Sequence, residues 1–186
     1  MRLAITIACA ASLILACSVA WCEQPRRQGL TIEGGWGLGY TAAVGGGRAT
    51  EGSVDATSVG IGVGVFLTPA LAVLCRVGPS HGYSVIDAER IFRVTQTPLA
   101  GVLEWFPHPR WMVSAGGALM VRVTDDVTVD TAQTATHRGA GLVLRGGHGF
   151  ANWETVGLRL TLEIIAARYE RDTLVSSFLG FEVQSF

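Results

Sequence analysis

Residues 58–77, SVGIGVGVFLTPALAVLCRV, decide the fold. Val59, Ile61, Val63, Val65 and Leu67 fall on one face of an extended chain, and Gly60, Gly62, Gly64 and Phe66 fall on the other. Thr68-Pro69 supplies a tight turn. The alternation then resumes, with Leu71, Val73, Cys75 and Val77 opposite Ala72, Leu74 and Arg76. A period of two with a turn between the runs reads as a hairpin of two-faced strands. Cys75 sits among valines on the apolar face, where it acts as a small apolar filler.

The same pattern extends in both directions. Upstream, residues 30–41 set Leu30, Ile32, Trp36, Leu38 and Tyr40 against Thr31, Glu33 and a run of glycines. Downstream, strands are expected near 98–106, 111–123, 139–150, 156–167 and 173–186, which makes eight strands of roughly ten residues. That is the length a tilted strand needs to cross a bilayer. The connections alternate as well. Residues 68–70, 106–110 and 150–156 are short, whereas 42–53, 79–88, 124–138 and 167–173 are longer and polar. In the fourth strand Arg93 shares parity with Leu99 and Leu103. Either Pro98 marks a bulge or the edge of regular pairing, after which the phase resets, or Arg93 lies above the bilayer.

Charges fall on the face that carries glycine and small polar residues: Glu33, Arg76, Glu104, Arg122, Arg145, Arg159, Glu163 and Glu182. Four acids and four bases can pair around a central axis. In a soluble sandwich this face would meet water, and in a membrane barrel it lines the lumen. The sparse charges and small side chains suit a narrow lumen, which eight strands leave nearly filled. Trp105, Phe106, Trp111, Phe150 and Trp153 gather near the short turns, as an interfacial aromatic belt does. The expected fold is therefore an all-β, eight-stranded antiparallel up-and-down transmembrane β-barrel.

Composition agrees. The 186 residues are 49% hydrophobic and 16% charged, with a net charge of −1, so disorder and dedicated nucleic-acid binding are both disfavoured. All 14 basic residues are arginine. The N-terminus reads as an export signal: Arg2, an uncharged apolar run, then small residues ending at Ala20. The expected organisation is a cleaved signal over 1–20, a short periplasmic segment over 21–29 and the barrel over 30–186. Ile14-Leu15-Ala16-Cys17 forms an imperfect lipobox, and Cys22 and Cys75 remain after cleavage at Ala20.

Over residues 30–186 the chain resembles the small outer-membrane β-barrel proteins of Gram-negative bacteria, OmpX-like or like the barrel domain of OmpA. The resemblance rests on strand count, loop asymmetry, the GIGVGVFLTPALAV hairpin and the terminal Phe186. It implies residence in the outer membrane, contact with outer-membrane lipid, and a C-terminal strand (Phe181, Val183, Phe186) read by the barrel-assembly machinery. Phe186 departs from the usual signal, being out of phase with Phe181 and Val183.

Chemistry is sparse. Ser80-His81 and His137 near Asp125, Asp126 and Asp130 are the residues a lipid A deacylase or acyltransferase reading would use. No spacing indicates a metal or a cofactor, and neither is expected. The preferred reading is a monomeric barrel with a closed lumen and a structural or surface-interaction role. A lipid-modifying barrel enzyme and a soluble periplasmic barrel or sandwich are the alternatives. Heat-modifiable migration tests the barrel reading: an unboiled sample from the membrane fraction should run differently from a boiled one, and an identical band would refute it.

Overall fold

A computed structural model describes residues 27–44, 53–87, 90–126, 134–170 and 172–186. The signal, Cys17, Cys22 and Asp130 lie outside them. Nine β-segments follow one another: β1 (Gly29–Val44), β2 (Ser53–Thr68), β3 (Leu71–Val77), β4 (Ser80–Asp87), β5 (Arg90–His108), β6 (Trp111–Asp126), β7 (Thr134–Asn152), β8 (Val156–Tyr169) and β9 (Thr173–Ser185). All pairings are antiparallel, and β1 bonds both β2 and β9, so the sheet closes on itself.

The ring has eight staves, because β3 and β4 are one stave. Val77 faces Leu99 and Ser80 faces Gln96, so the register on β5 is unchanged across the gap. The gap is a matter of missing donors. Gly78 N–H donates to the Pro98 carbonyl (3.4 Å) and Val59 N–H donates to the Pro79 carbonyl (3.1 Å). The return bonds would need N–H groups that proline lacks.

A circuit along paired residues leaves β1 at Glu33 and passes Gly62, Arg76, Ala100, Ala118, Gly141, Ala167 and Leu174. It re-enters β1 at Ala43, ten residues further on. For eight staves that stagger implies a tilt of roughly 40° and a radius of roughly 8 Å, a lumen that side chains alone can fill.

The expected faces are the observed ones, with burial inverted relative to a soluble protein. Leu30, Leu119 and Leu142 are 64–67% exposed, while Glu33, Glu104, Glu182 and Arg145 are at most 3% exposed. A soluble sandwich would bury the first group and hydrate the second. The closed ladder also satisfies backbone polar groups internally, as hydrocarbon requires.

The long connections are shorter than the sequence suggested. Most of 79–88 is β4, β5 starts at Arg90, β6 reaches Asp126, and β8 reaches Tyr169. Polar residues beyond the apolar band can still pair through their backbones, so polarity ended the expected strands too early. Pro98 carries no bulge either: β5 and β6 pair without a register shift from Phe92 to Trp105, and Arg93 faces outward at the long-loop end.

Closure depends on close backbone approach at Gly180, where an added Cβ would overlap the Trp36 carbonyl and the Gly37 Cα. At Gly146 an added Cβ meets nothing within 4 Å. Gly180→Val should sharply lower the fraction of refolded chain that shows heat-modifiable migration, and Gly146→Val should leave it unchanged. Equal refolding of both would contradict the close packing of β9 on β1.

Candidate functional site

The charged lumen is the most elaborate polar site among the described residues. Arg145 on β7 is its hub. Its guanidinium lies 3.3 Å from Glu33 Oε1 on β1, 3.0 Å from Glu104 Oε1 on β5 and 3.3 Å from Glu163 Oε2 on β8, and it also contacts Glu182 on β9. Arg76 on β3 pairs with Glu33 and, at 2.7 Å, with Glu163. Arg159 on β8 lies 3.3 Å from Glu182 and bonds the Gln184 amide oxygen, and the Gln184 amide nitrogen donates to Glu104 at 2.9 Å. The network thus ties β1, β3, β5, β7, β8 and β9 across the axis.

Arg122 stands apart from it. Arg122 pairs with Asp172 at 2.8 Å near the long-loop end and lies over the Tyr169 ring at 4.5 Å. The central cluster therefore holds four carboxylates and three guanidinia, not four of each. Parity placed Arg122 in the lumen but not at the right height, because height depends on strand stagger. Gln184 was readable as inward by parity; its part in the network was not.

Glu33, Glu104 and Glu182 bring carboxylate oxygens within 4.8 Å of one another, a spacing that could suit a metal ion. The Arg145 guanidinium contacts all three and occupies the place a cation would take. Beside the cluster, toward the long loops, a cavity of about 50 Å³ is lined by Ser58, Arg76, Arg145, Thr161 and Glu163. It has room for a few waters. Beyond it come apolar Ala100, Ala118, Val143, Ile165 and Phe178, then a polar layer in which Gln96 and Thr41 bond the Ser176 hydroxyl at 3.2 and 2.9 Å.

The short-turn end is sealed by aromatic rings inside the ring of strands. Phe66 packs on Phe106 (centroids 5.8 Å) and on Phe186 (6.1 Å). Arg27 lies 4.0 Å over Phe106. Phe106 is thus an interior residue and not part of a lipid-facing belt; one step from outward Trp105, it must point inward. Trp105, Trp111 and Trp153 are exposed as a belt requires, with Trp111 edge-on to His148 at 4.6 Å, and Phe150 is half-buried edge-on to Phe181 at 6.1 Å. Phe181 and Val183 face outward, whereas Phe186 turns inward into space left by Gly157. Its odd phase has a packing cause.

The candidate catalytic residues do not converge. Ser80 is buried facing the lumen and His81 is exposed, its ring nitrogen 2.9 Å from the Thr95 hydroxyl. Adjacent strand residues point to opposite faces, so this Ser and His cannot form a dyad. His137 stands across the ladder from Arg122. Asp125 instead accepts from Arg93 (2.7 Å) and Thr134 (2.8 Å).

No protein-family profile matches the chain, and no curated protein sequence does. Solved structures do. Neisserial surface protein A superimposes with a TM-score of 0.58 at 11% identity, covering 84% of this chain and 96% of that one. Ail, the attachment invasion locus protein of Yersinia pestis, superimposes with a TM-score of 0.60 at 7% identity, covering 85% and 99%. The fold is that of a small outer-membrane β-barrel. This barrel shares with that group the OmpX- and OmpA-like closed ring, and its lumen holds buried salt bridges.

Arg145→Leu leaves carboxylates buried without their shared partner, which should cost about 3–5 kcal/mol of unfolding free energy; urea unfolding followed by tryptophan fluorescence measures it, and an unchanged midpoint would deny Arg145 its hub role. Outside the apolar band, the Arg93 guanidinium and the Thr134 hydroxyl hold the Asp125 carboxyl below its ordinary range. The stabilisation this gives is present above the ordinary carboxylate range and is lost as pH falls through the depressed value. Arg93→Gln should move the Asp125 midpoint upward in a carboxyl NMR titration, and no movement would mean the pair does not persist in solution.

Proposed function

We propose that the chain is exported and resides as a monomer in the outer membrane of a Gram-negative cell. There it forms a closed barrel whose role is structural or lies in surface interaction at the long-loop end. One observation carries this reading: large apolar side chains cover the outside, and the charges are paired inside. Lipid is the solvent that rewards that arrangement. The lumen charges and the Phe66, Phe106 and Phe186 plug argue for a scaffold and against a conducting pore. The aromatic rim at Trp105, Trp111 and Trp153 fits the headgroup layer on the short-turn side. Phe181 and Val183, together with the terminal Phe186, are the residues we assign to recognition by the assembly machinery.

The rim favours surface interaction. The β5–β6 pairing runs as far as Phe92 and Asp126, and β6–β7 as far as Asp125 and Thr134. In contrast, among the described residues β2 pairs with β4 only at Thr57–His81 and Ser58–Ser80, and β7 pairs with β8 only from Gly139. The strands β4 to β7 therefore rise past their neighbours with backbone edges available to a partner strand. The likeness to a surface protein and to an attachment invasion locus protein is in keeping with such a role.

Cell fractionation combined with planar-bilayer recording tests the proposal. The protein should stay with the outer-membrane fraction through carbonate washing and show heat-modifiable migration, and the purified barrel should give no stable conductance steps. Recovery in the soluble periplasm would overturn the location, and steady single-channel currents would overturn the closed lumen.

A further inference from the structure

Arg138 and Arg168 stand out among the arginines whose side chains are described. Arg76, Arg145 and Arg159 pair with lumen carboxylates, Arg122 with Asp172, and Arg93 with Asp125. Arg27 and Arg110 also interact with the protein. Arg138 and Arg168 have no carboxylate partner among the described residues, and both are exposed on the outer face. The nearby Glu170 is exposed and forms no ion pair with either.

Their placement is specific. On β7 and β8, Ala140 faces Arg168 across the ladder, and Arg138 lies two residues further along β7. The two guanidinium stems are thus at diagonal cross-strand positions about 7–8 Å apart, close enough for both to reach one anion. The outward residues of β7 run from Phe150 and His148, which lies beside Trp111 at the short-turn rim, through Gly146, Leu144 and Leu142 to Ala140 before Arg138 appears. At the tilt the stagger requires, the span from His148 to Arg138 is roughly 25 Å along the axis, the height of a lipid-facing band. Arg138 and Arg168 therefore sit at its long-loop edge. Directly below them, Ala140 and Ala166 leave the wall shallow between Leu142 and Ile164.

We infer that Arg138 and Arg168 form a binding site for the phosphate of a membrane lipid headgroup, with an acyl chain lying over Ala140 and Ala166. Guanidinium is the side chain suited to this, since its planar fork takes phosphate oxygens bidentately and it is weakly hydrated. An unpaired charge at the edge of hydrocarbon would otherwise be poorly compensated, and an anionic headgroup supplies the missing counter-charge. The inference rests on the barrel spanning a membrane and names the lipid chemistry its rim contacts. Its failure is separable, because heat-modifiable migration reports the barrel and not the lipid.

The test is lipid retention. The full-length barrel, refolded in detergent, is mixed with a bisphosphorylated lipid A or with its dephosphorylated form, and bound lipid is counted by native mass spectrometry. Wild type should retain the phosphorylated lipid preferentially. Arg138→Gln and Arg168→Gln should each weaken retention about tenfold, the loss expected of one charge-assisted contact, and the double variant should abolish the preference. Arg93→Gln, whose partner is Asp125, should behave as wild type. Heat-modifiable migration of each variant verifies folding, and Arg138→Lys/Arg168→Lys, with charge kept and the fork removed, should give intermediate retention even if the glutamine pair refolds poorly. Equal retention by wild type and a folded double variant would overturn the inference. So would displacement of the lipid by an equivalent concentration of inorganic phosphate, which would mark the pair as a free-anion site.

Discussion

Hydrocarbon offers no hydrogen bonds, and every other feature of this molecule depends on that constraint. A sheet placed in it must pair its own edges, so β1 has to meet β9 on one side and β2 on the other. Once closed, the strands have an inside and an outside fixed by residue parity. The sequence answers with valine and leucine at outward positions and with glycine, small polar residues and isolated ions at inward ones. Closure also fixes the radius, and the radius explains why glycine, alanine and serine alternate with large inward side chains such as Phe66, Met112, Met120 and Phe178. Glycine recurs where strand backbones come closest, as at Gly64, Gly116 and Gly180.

The ions inside are better understood as a consequence of the narrow lumen than as a source of net stability. Buried pairs recover the cost of dehydration only when geometry is good, and replacing a whole set by packed apolar residues is often neutral. What the Arg145 hub does supply is mutual dependence. Its carboxylate partners come from β1, β5, β8 and β9, so a sheet shifted in register at any of those strands strands a charge. The aromatic plug at Phe66, Phe106 and Phe186 then shields one end of the cluster from water.

How much of this was readable from residues alone follows the same physics. Period two is local, and it placed Leu30, Ile32, Glu33, Glu104, Arg145 and Glu182 on their correct faces. Height along the axis is not local; it depends on the stagger accumulated around the ring, and it separates Arg122 and Asp172 from the other ions. Strand ends were misjudged where Ser80–Asp87 looked like loop, because backbone pairing continues after the apolar side chains stop. Phe106 shows a different lesson. Counted as one of a group of aromatics near a turn, it looks like a belt residue; counted by parity from Trp105, it belongs inside. Phe186 is out of phase with Phe181 and Val183, and its ring packs inward where Gly157 leaves room, a contact between strands that local parity does not reveal.

The junction of β3 and β4 carries one last implication. Pro79 and Pro98 remove one ladder bond from each of two successive seams at nearly the same height, and the lumenal cavity abuts them through Val59, Gly60, Val77, Gly78 and Pro98. Elsewhere the register shifts of the described wall lie toward strand ends, as between Gly39 and Thr41, Phe66 and Thr68, and Gly149 and Ala151. A barrel under lateral pressure from lipid yields first where its rungs are fewest, so breathing of the cylinder should concentrate at this belt-line patch, leaving the ionic knot below it rigid.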